Sequence, residues 1–468
     1  MPVFQKKWII FCLVATSIFM STLDSSIVNI ALPYIMQALK TDIQTIQWVV
    51  LIYLIVVSCL LLSFGRLSDI IGRKPVYITG FAIFAAGSIF CGTASSAAAL
   101  IFARALQGCG AAMLMACSPA LIVDTFPVQE RGKALGMIGA VVAAGLTTGP
   151  VIGGILLEYL SWQYIFYINI PIGIGAAFGA VFVLKGEYAA KGSSEPMDIK
   201  GSFLLIIMIS SLIIFMTQLS QWGFISILSL LSASISILAG IGFLIIERKS
   251  KYPLFDMKLL KIKLFVFPVI SSTILFAALF IIIFMMPFYL TYPCGFSAYK
   301  TGMIMIVPFI FLLFFSPVAG IMYDTFRSRN LCMAGMGILL LSLLSLMTIQ
   351  PAMDDISILW RIALAGLGTA LYISPNNTAI MSCIPLQRRG TASGAVATAR
   401  NLGMVVGVAL AGLIFSTSFA NLTDGASLEN YLAQMEPYFM ISFKKTMVMG
   451  AVIAALGLFI TWARGKEE

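Results

Sequence analysis

The sequence predicts an all-α membrane protein that crosses the bilayer fourteen times. Three observations predict this: an excess of apolar residues, their grouping into runs of helical length, and the near absence of charge inside those runs. Sixty per cent of the 468 residues are hydrophobic and 10 % are charged, and mean hydropathy is +1.01. Soluble domains sit near ~45–50 % apolar and ~25 % charged, so the solvent for this chain is lipid. A hydrocarbon core roughly 30 Å thick is crossed by about 20 apolar residues in a helix. Inside it every backbone polar group needs an internal partner, so only helices and closed barrels qualify. The runs do not alternate over about ten residues as barrel strands do.

Apolar runs between polar breaks place the spans near 8–31, 46–65, 75–95, 99–121, 134–157, 164–184, 200–219, 225–246, 264–290, 300–322, 330–349, 357–382, 391–417 and 443–463. Lys6 and Lys7 before the first run resemble the start of a signal peptide. With thirteen further spans behind it, that run is expected to stay as an uncleaved first helix. An even number of spans puts both termini on one side. Segments on that side hold 22 of the 29 Lys and Arg residues, against 4 on the other side. The positive-inside bias therefore predicts cytoplasmic termini and a multi-pass protein of the cell (inner) membrane. It also accounts for the formal charge of +10, which faces anionic lipid rather than nucleic acid.

The chain repeats itself. Arg104 in RALQGCG recurs as Arg361 in RIALAGLG, Pro119 as Pro375, Pro127 with Arg131 as Pro385 with Arg389, and Gly136 as Gly394, at offsets of 256–258. Asp69 after Gly65 is echoed by Asp324 after Gly320. Two six-helix bundles, residues 1–185 and 263–468, explain the repeat if residues 186–262 form a linker with two additional helices. Eight cysteines are scattered singly and histidine is absent. No disulfide frame, thiolate metal site, haem or His relay is indicated. No GxxxxGK[ST] loop is present, so neither ATP-driven pumping nor any cofactor is expected.

Ionisable groups inside spans are costly and point to function. One acid, Asp24, and three arginines, Arg104, Arg361 and Arg400, lie well inside. Counting from the span ends, Asp24 and Arg104 both sit roughly 9–14 Å below the outer boundary, so they are expected to meet. Burial favours a neutral carboxyl and a neighbouring arginine favours a charged one. A cycle that changes either influence would load and discharge a proton. The same residues also fit a fixed pair that locks helices 1 and 4. Arg361 has no acid at its depth, which favours backbone carbonyls as partners.

Six segments in order, LDSSIVNIALP (Leu23–Pro33), QWVVLIYL (Gln47–Leu54), GRLSDIIGRK (Gly65–Lys74), RALQGCGAA (Arg104–Ala112), GLTTGPVIGG (Gly145–Gly154) and SWQYIFYINIPIG (Ser161–Gly173), resemble the major facilitator superfamily. The match is to its fourteen-helix drug–proton antiporter family and covers nearly the whole chain. The resemblance implies the major facilitator fold, alternating access between the two bundles, and proton-driven multidrug efflux with Asp24 and Arg104 in proton coupling. It implies conformational gating by Gly65, Asp69, Gly72, Arg73, Lys74 and Arg131, with Asp69 meeting the positive N-terminus of span 13 near Gly390–Thr391. It implies a seal between the halves at Gly145, Gly149, Pro150, Gly153 and Gly154, where small residues let backbones approach. Gln163 stands where the family usually has Arg, and spans 9–14 carry no extra acid. Dicationic cargo is therefore less favoured than neutral, monovalent or anionic cargo.

Phe276, Phe280 and Phe284 share one face of span 9, with Met285, Met286 and Tyr289 beside them. Flexible thioethers and aromatics suit promiscuous apolar pockets, and they equally suit a packing stripe. The residues to test for pocket lining are Asn29, Tyr53, Gln107, Met113 and Phe284 in one group. Tyr289, Arg361, Tyr372, Asn376 and Asn377 form the other. Expected partners are a hydrophobic or amphipathic small molecule, protons and lipid. A periplasmic adaptor has no support in the sequence. A transporter of one dedicated metabolite, in either direction, is the main rival. A membrane enzyme is a remote one, since one acid and three arginines offer little catalytic chemistry.

Overall fold

The computed structural model describes residues 3–184, 198–223, 226–250, 257–323, 325–326, 328–351, 353–384 and 389–464. Among these residues, fourteen helices are long and apolar enough to cross a membrane. They are α1 (Lys7–Ala38), α2 (Ile43–Ile71), α3 (Arg73–Gly92), α4 (Ala97–Thr125), α5 (Gln129–Tyr159), α6 (Tyr164–Val183) and α7 (Ile199–Leu219). The remainder are α8 (Ile227–Lys249), α9 (Lys263–Thr291), α10 (Ala298–Met322), α11 (Ser328–Leu346), α12 (Asp355–Ser382), α13 (Ala392–Leu422) and α14 (Ala433–Ala463). The expectation of fourteen helices and no strands holds for the described residues.

Several helices outrun the predicted spans. α1 continues seven residues past Ala31, α2 reaches Ile71, and α14 begins about ten residues early. Hydropathy reports only the apolar stretch, whereas helical bonding runs on until a cap ends it. Lys444 and Lys445 lie on the helix of α14. Asp69 lies on α2 rather than in a loop. Local chemistry sets the starts: Asp42, Ser96, Asp198, Ser297 and Asp354 each accept a bond from a backbone N–H in the first turn, satisfying one orphan donor. The bonds from Ser357 hold the exposed Asp354 carboxyl below its ordinary range.

The two bundles pack alike. In the first, α1 lies on α5, α2 and α3 on α4, and α3 on α6; in the second, α9 lies on α13, α10 and α11 on α12, and α11 on α14. Small residues make the mirrored contacts close. A Cβ at Gly145 or Gly149 would collide with Thr22 or Ser26 of α1, and one at Gly403 or Gly407 with the Thr273 or Ala277 carbonyl of α9. α9 is buried on nearly every side, which places Phe276, Phe280 and Phe284 in packing rather than against lipid.

The bundles meet chiefly along α5–α10 and α2–α13. α5 and α10 touch in the half away from the termini, where Pro150 and Gly154 pack on Ala298 and Gly302. There Glu158 also accepts from the Tyr299 N–H at 3.2 Å. Toward the terminal end, Cβ positions at Gly136 and Gly139 meet open space. α2 and α13 touch near both ends, through Gln44 Nε2 donating to Ser416 Oγ at 2.9 Å and through Leu62 beside Gly394. The α7–α8 hairpin packs on α2 and α13, with Ser63 Oγ donating to Ser202 Oγ at 2.9 Å.

Candidate functional site

On a helix, residues two positions apart point roughly 200° apart. Thr22 and Ser26 of α1 therefore face α5 while Asp24 between them faces the interior of the first bundle. Arg104 and Gln107, one turn apart on α4, share a face and both reach it. Arg104 Nη1 donates to Asp24 Oδ2 at 2.5 Å and to Gln107 Oε1 at 2.5 Å, and Nε donates to the Val49 carbonyl of α2 at 3.1 Å. Gln107 Nε2 donates to Asp24 Oδ1 at 2.9 Å and lies 2.9 Å from Ser88 Oγ of α3. Asn169 Nδ2 of α6 donates to Asp24 Oδ1 at 3.0 Å. The guanidinium stacks 4.2 Å from the Tyr53 ring centroid. Asp24, Gln107 and Asn169 are 0 % exposed and Arg104 is 1 % exposed.

Five helices thus converge on one carboxylate. Arg104 and Asp24 form a buried ion pair. Such a pair is weak evidence for stability, because desolvation offsets much of the attraction. What it does supply is a group whose partners would change if α1 moved. Composition and depth located Asp24 and Arg104. Gln107, assigned to a pocket by sequence, instead bonds Asp24. Asn169 and Ser88 were missed. A lone Asn in the apolar run INIP was the available signal for Asn169, by the same reasoning that singled out Asn29.

The antiporter-motif helix joins this site to the second bundle. Gly145, Gly149 and Gly153 form one face of α5 against Thr22, Ser26 and Ile27; Pro150 and Gly154 form the other, against α10. A Cβ on Gly302 would lie 2.3 Å from the Pro150 carbonyl. Ser26 Oγ also donates to the Gly145 carbonyl at 3.3 Å. α1 therefore holds Asp24 on one side and a notched contact with the interface helix on the other.

In the gating segment, Gly72 adopts φ 97° between α2 and α3, a conformation that needs glycine. A Cβ on Gly65 would meet nothing within 4 Å. Arg73 pairs with Asp69 at 3.5 Å, with Asp124 of α4, and with the Ala120 carbonyl. Sequence reasoning missed Asp124. Lys74 donates to the Val181 carbonyl at 2.9 Å, and Arg131 to the Phe126 carbonyl at 3.1 Å. The side chains of Gly390–Thr391, the expected neighbours of Asp69, lie outside the described residues, as do Asp324 and Pro385.

The pocket candidates scatter. Asn29 and Tyr53 are buried, with Asn29 Oδ1 and the Tyr53 hydroxyl unpartnered. Met113 is partly buried, Phe284 is fully buried, and Asn377 is exposed. Tyr289 donates to the Gln350 carbonyl at 2.8 Å. Tyr372 and Asn376 approach the Pro268 carbonyl, and Asn376 Oδ1 has no partner. Arg361 donates to the Ser345 and Ser357 carbonyls and to Thr348 Oγ1. The structure places these residues at helix contacts spread over the two bundles.

The family model described as Major Facilitator Superfamily matches residues 14–408. The chain is 32 % identical over 462 residues to the riboflavin transporter RibZ of Clostridioides difficile, covering 98 % of this chain and 97 % of that one. It is 30 % identical over 429 residues to the multidrug resistance protein Stp of Mycobacterium tuberculosis, covering 91 % and 78 %. Among solved structures, a bacterial homologue of the human lysosomal transporter Spinster superposes with a TM-score of 0.70 at 13 % identity, over 98 % of this chain and 97 % of that chain. Fourteen apolar helices, two bundles of matching packing and these likenesses agree: the chain is a multi-pass membrane transporter and belongs to the Major Facilitator Superfamily.

Proposed function

We propose that the protein is a proton-coupled exporter of hydrophobic or amphipathic small molecules, working by alternating access between its two bundles, with cytoplasmic termini. One observation carries the reading: Asp24, fully buried well inside a span, sits on α1 directly opposite the small-residue contact with α5, and α5 is one of the helices that touch the second bundle. Protonating Asp24 removes half of the ion pair and leaves Arg104 with Val49 O and Gln107. α1 is then held less firmly to α4 and α6, and any shift of α1 is felt by Gly145 and Gly149. A proton falling through about 100 mV releases about 2.3 kcal/mol, enough for a gradient on the order of 40-fold at ~1.4 kcal/mol per tenfold.

The test is uptake into everted vesicles. Energised vesicles should accumulate substrate and lose it on adding uncoupler. Asp24→Asn should abolish uphill uptake while leaving downhill exchange measurable. Full uphill transport by that variant removes Asp24 as the proton carrier. A second reading, transport of one dedicated metabolite, is favoured by the full-length likeness to a riboflavin transporter. A competition panel separates the two, because a dedicated carrier responds to one chemical family and a multidrug exporter to many.

A further inference from the structure

Charge inside the spans is unequally settled. Asp24 is neutralised by Arg104, and Arg361 is held by two carbonyls and a hydroxyl. Arg400 differs. It lies eight residues into α13, about 12 Å from that helix's start at 1.5 Å per residue. Among the described residues no carboxylate pairs with it, and none of its nitrogens has a protein hydrogen bond. Its Nε is buried without a partner, and the residue as a whole is half-buried. The Phe276 ring of α9 lies 6.0 Å from Cζ to centroid. Thr398 Oγ1 and Asn401 Nδ2, on the adjoining turn, are also buried without partners.

A guanidinium at that depth without a counter-charge is costly, and its fork suits a carboxylate or another bidentate acceptor. A cationic cargo would meet an unbalanced positive charge and find no free acid, since Asp24 is engaged. An anionic cargo would supply the missing charge. Phe276 of α9 is 7 % exposed and backs the guanidinium as part of the helix packing. We propose that Arg400 is a recognition site for organic carboxylates, and that the protein's cargo belongs to that class. This rests on the reading of the protein as a small-molecule exporter and narrows its substrate.

The test uses fluorescein and rhodamine 123, which share a xanthene plane but carry opposite charge. Binding to the purified protein in nanodiscs is read by fluorescence anisotropy. Fluorescein should bind saturably and rhodamine 123 at least tenfold more weakly. Arg400→Gln should weaken fluorescein binding tenfold or more. Arg400→Lys, which keeps the charge and loses the fork, should fall between. Each variant's monodisperse elution and thermal unfolding report its folding, and Arg400→Lys carries the test if Arg400→Gln does not fold. No saturable fluorescein binding, equal binding of rhodamine 123, or unchanged affinity in the Arg400 variants overturns the assignment. Arg400-dependent binding without uncoupler-sensitive transport overturns the proton-coupled reading and leaves this one standing; the reverse pattern does the opposite.

Discussion

The two bundles carry the same arginine in the same place and use it differently. Arg104 and Arg361 stand one repeat apart, each near the start of an equivalent helix. Arg104 reaches across to a carboxylate on α1. Arg361 reaches to the carbonyls of Ser345 and Ser357 and to Thr348 Oγ1. The position on α9 that corresponds to Asp24 falls within the apolar run Leu279–Ile283. A cation on neutral dipoles has no ionisable partner, whereas a cation on a carboxylate does. The scaffold is therefore duplicated and the chemistry is not: the first bundle holds its arginine on a carboxylate, and the second holds its own on neutral groups.

The comparison breaks most visibly at the arginines. Arg104→Ala leaves Asp24 buried and uncompensated, expected to cost roughly 3–5 kcal/mol. Arg361→Ala removes bonds to neutral acceptors and should cost only about 1–3 kcal/mol. Denaturant unfolding in detergent measures both, and adding Asp24→Asn to Arg104→Ala should restore part of the loss. Equal costs for the two single variants would mean the halves are not distinct.

A smaller effect sharpens where the bundles touch. A Cβ at Gly302 would press on the Pro150 carbonyl, whereas one at Gly136 meets open space. Gly302→Ala should overpack the α5–α10 contact by about 1–3 kcal/mol and lower transport by about tenfold. Gly136→Ala should lie within about 0.5 kcal/mol of wild type and transport normally. Vesicle uptake rates, normalised to protein inserted, read the difference. The smallest effect belongs to the α7–α8 hairpin. Ser202→Ala deletes the hydroxyl bonded to Ser63 and should cost about 0.5–1.5 kcal/mol in unfolding measurements with uptake retained. A larger transport defect would make the hairpin part of the moving machinery.

Much of this architecture was legible beforehand because lipid imposes a blunt rule. Runs of about twenty apolar residues must be helices, and the recurrence of Arg, Pro and Gly at one offset exposed the duplication. The depth count brought Asp24 and Arg104 level because rise per residue is fixed. Gln107 and Asn169 were different. A polar side chain in a span declares that it needs a partner and does not say which, and Gln107 looked as suited to a pocket as to an ion pair. Asp124 was invisible because an acid near a helix end looks like surface chemistry until Arg73 is found beside it.

The sequence alone determined the solvent, the number of crossings, the repeat and the identity of the one deep acid, since each follows from composition and linear spacing. Only the tertiary structure decided which partners that acid has, which face of α5 meets α1 and which meets α10, and that Arg400 has no counter-charge among the described residues. Those are questions of rotation about helix axes and of neighbours far apart in the chain, and spacing along one helix fixes neither.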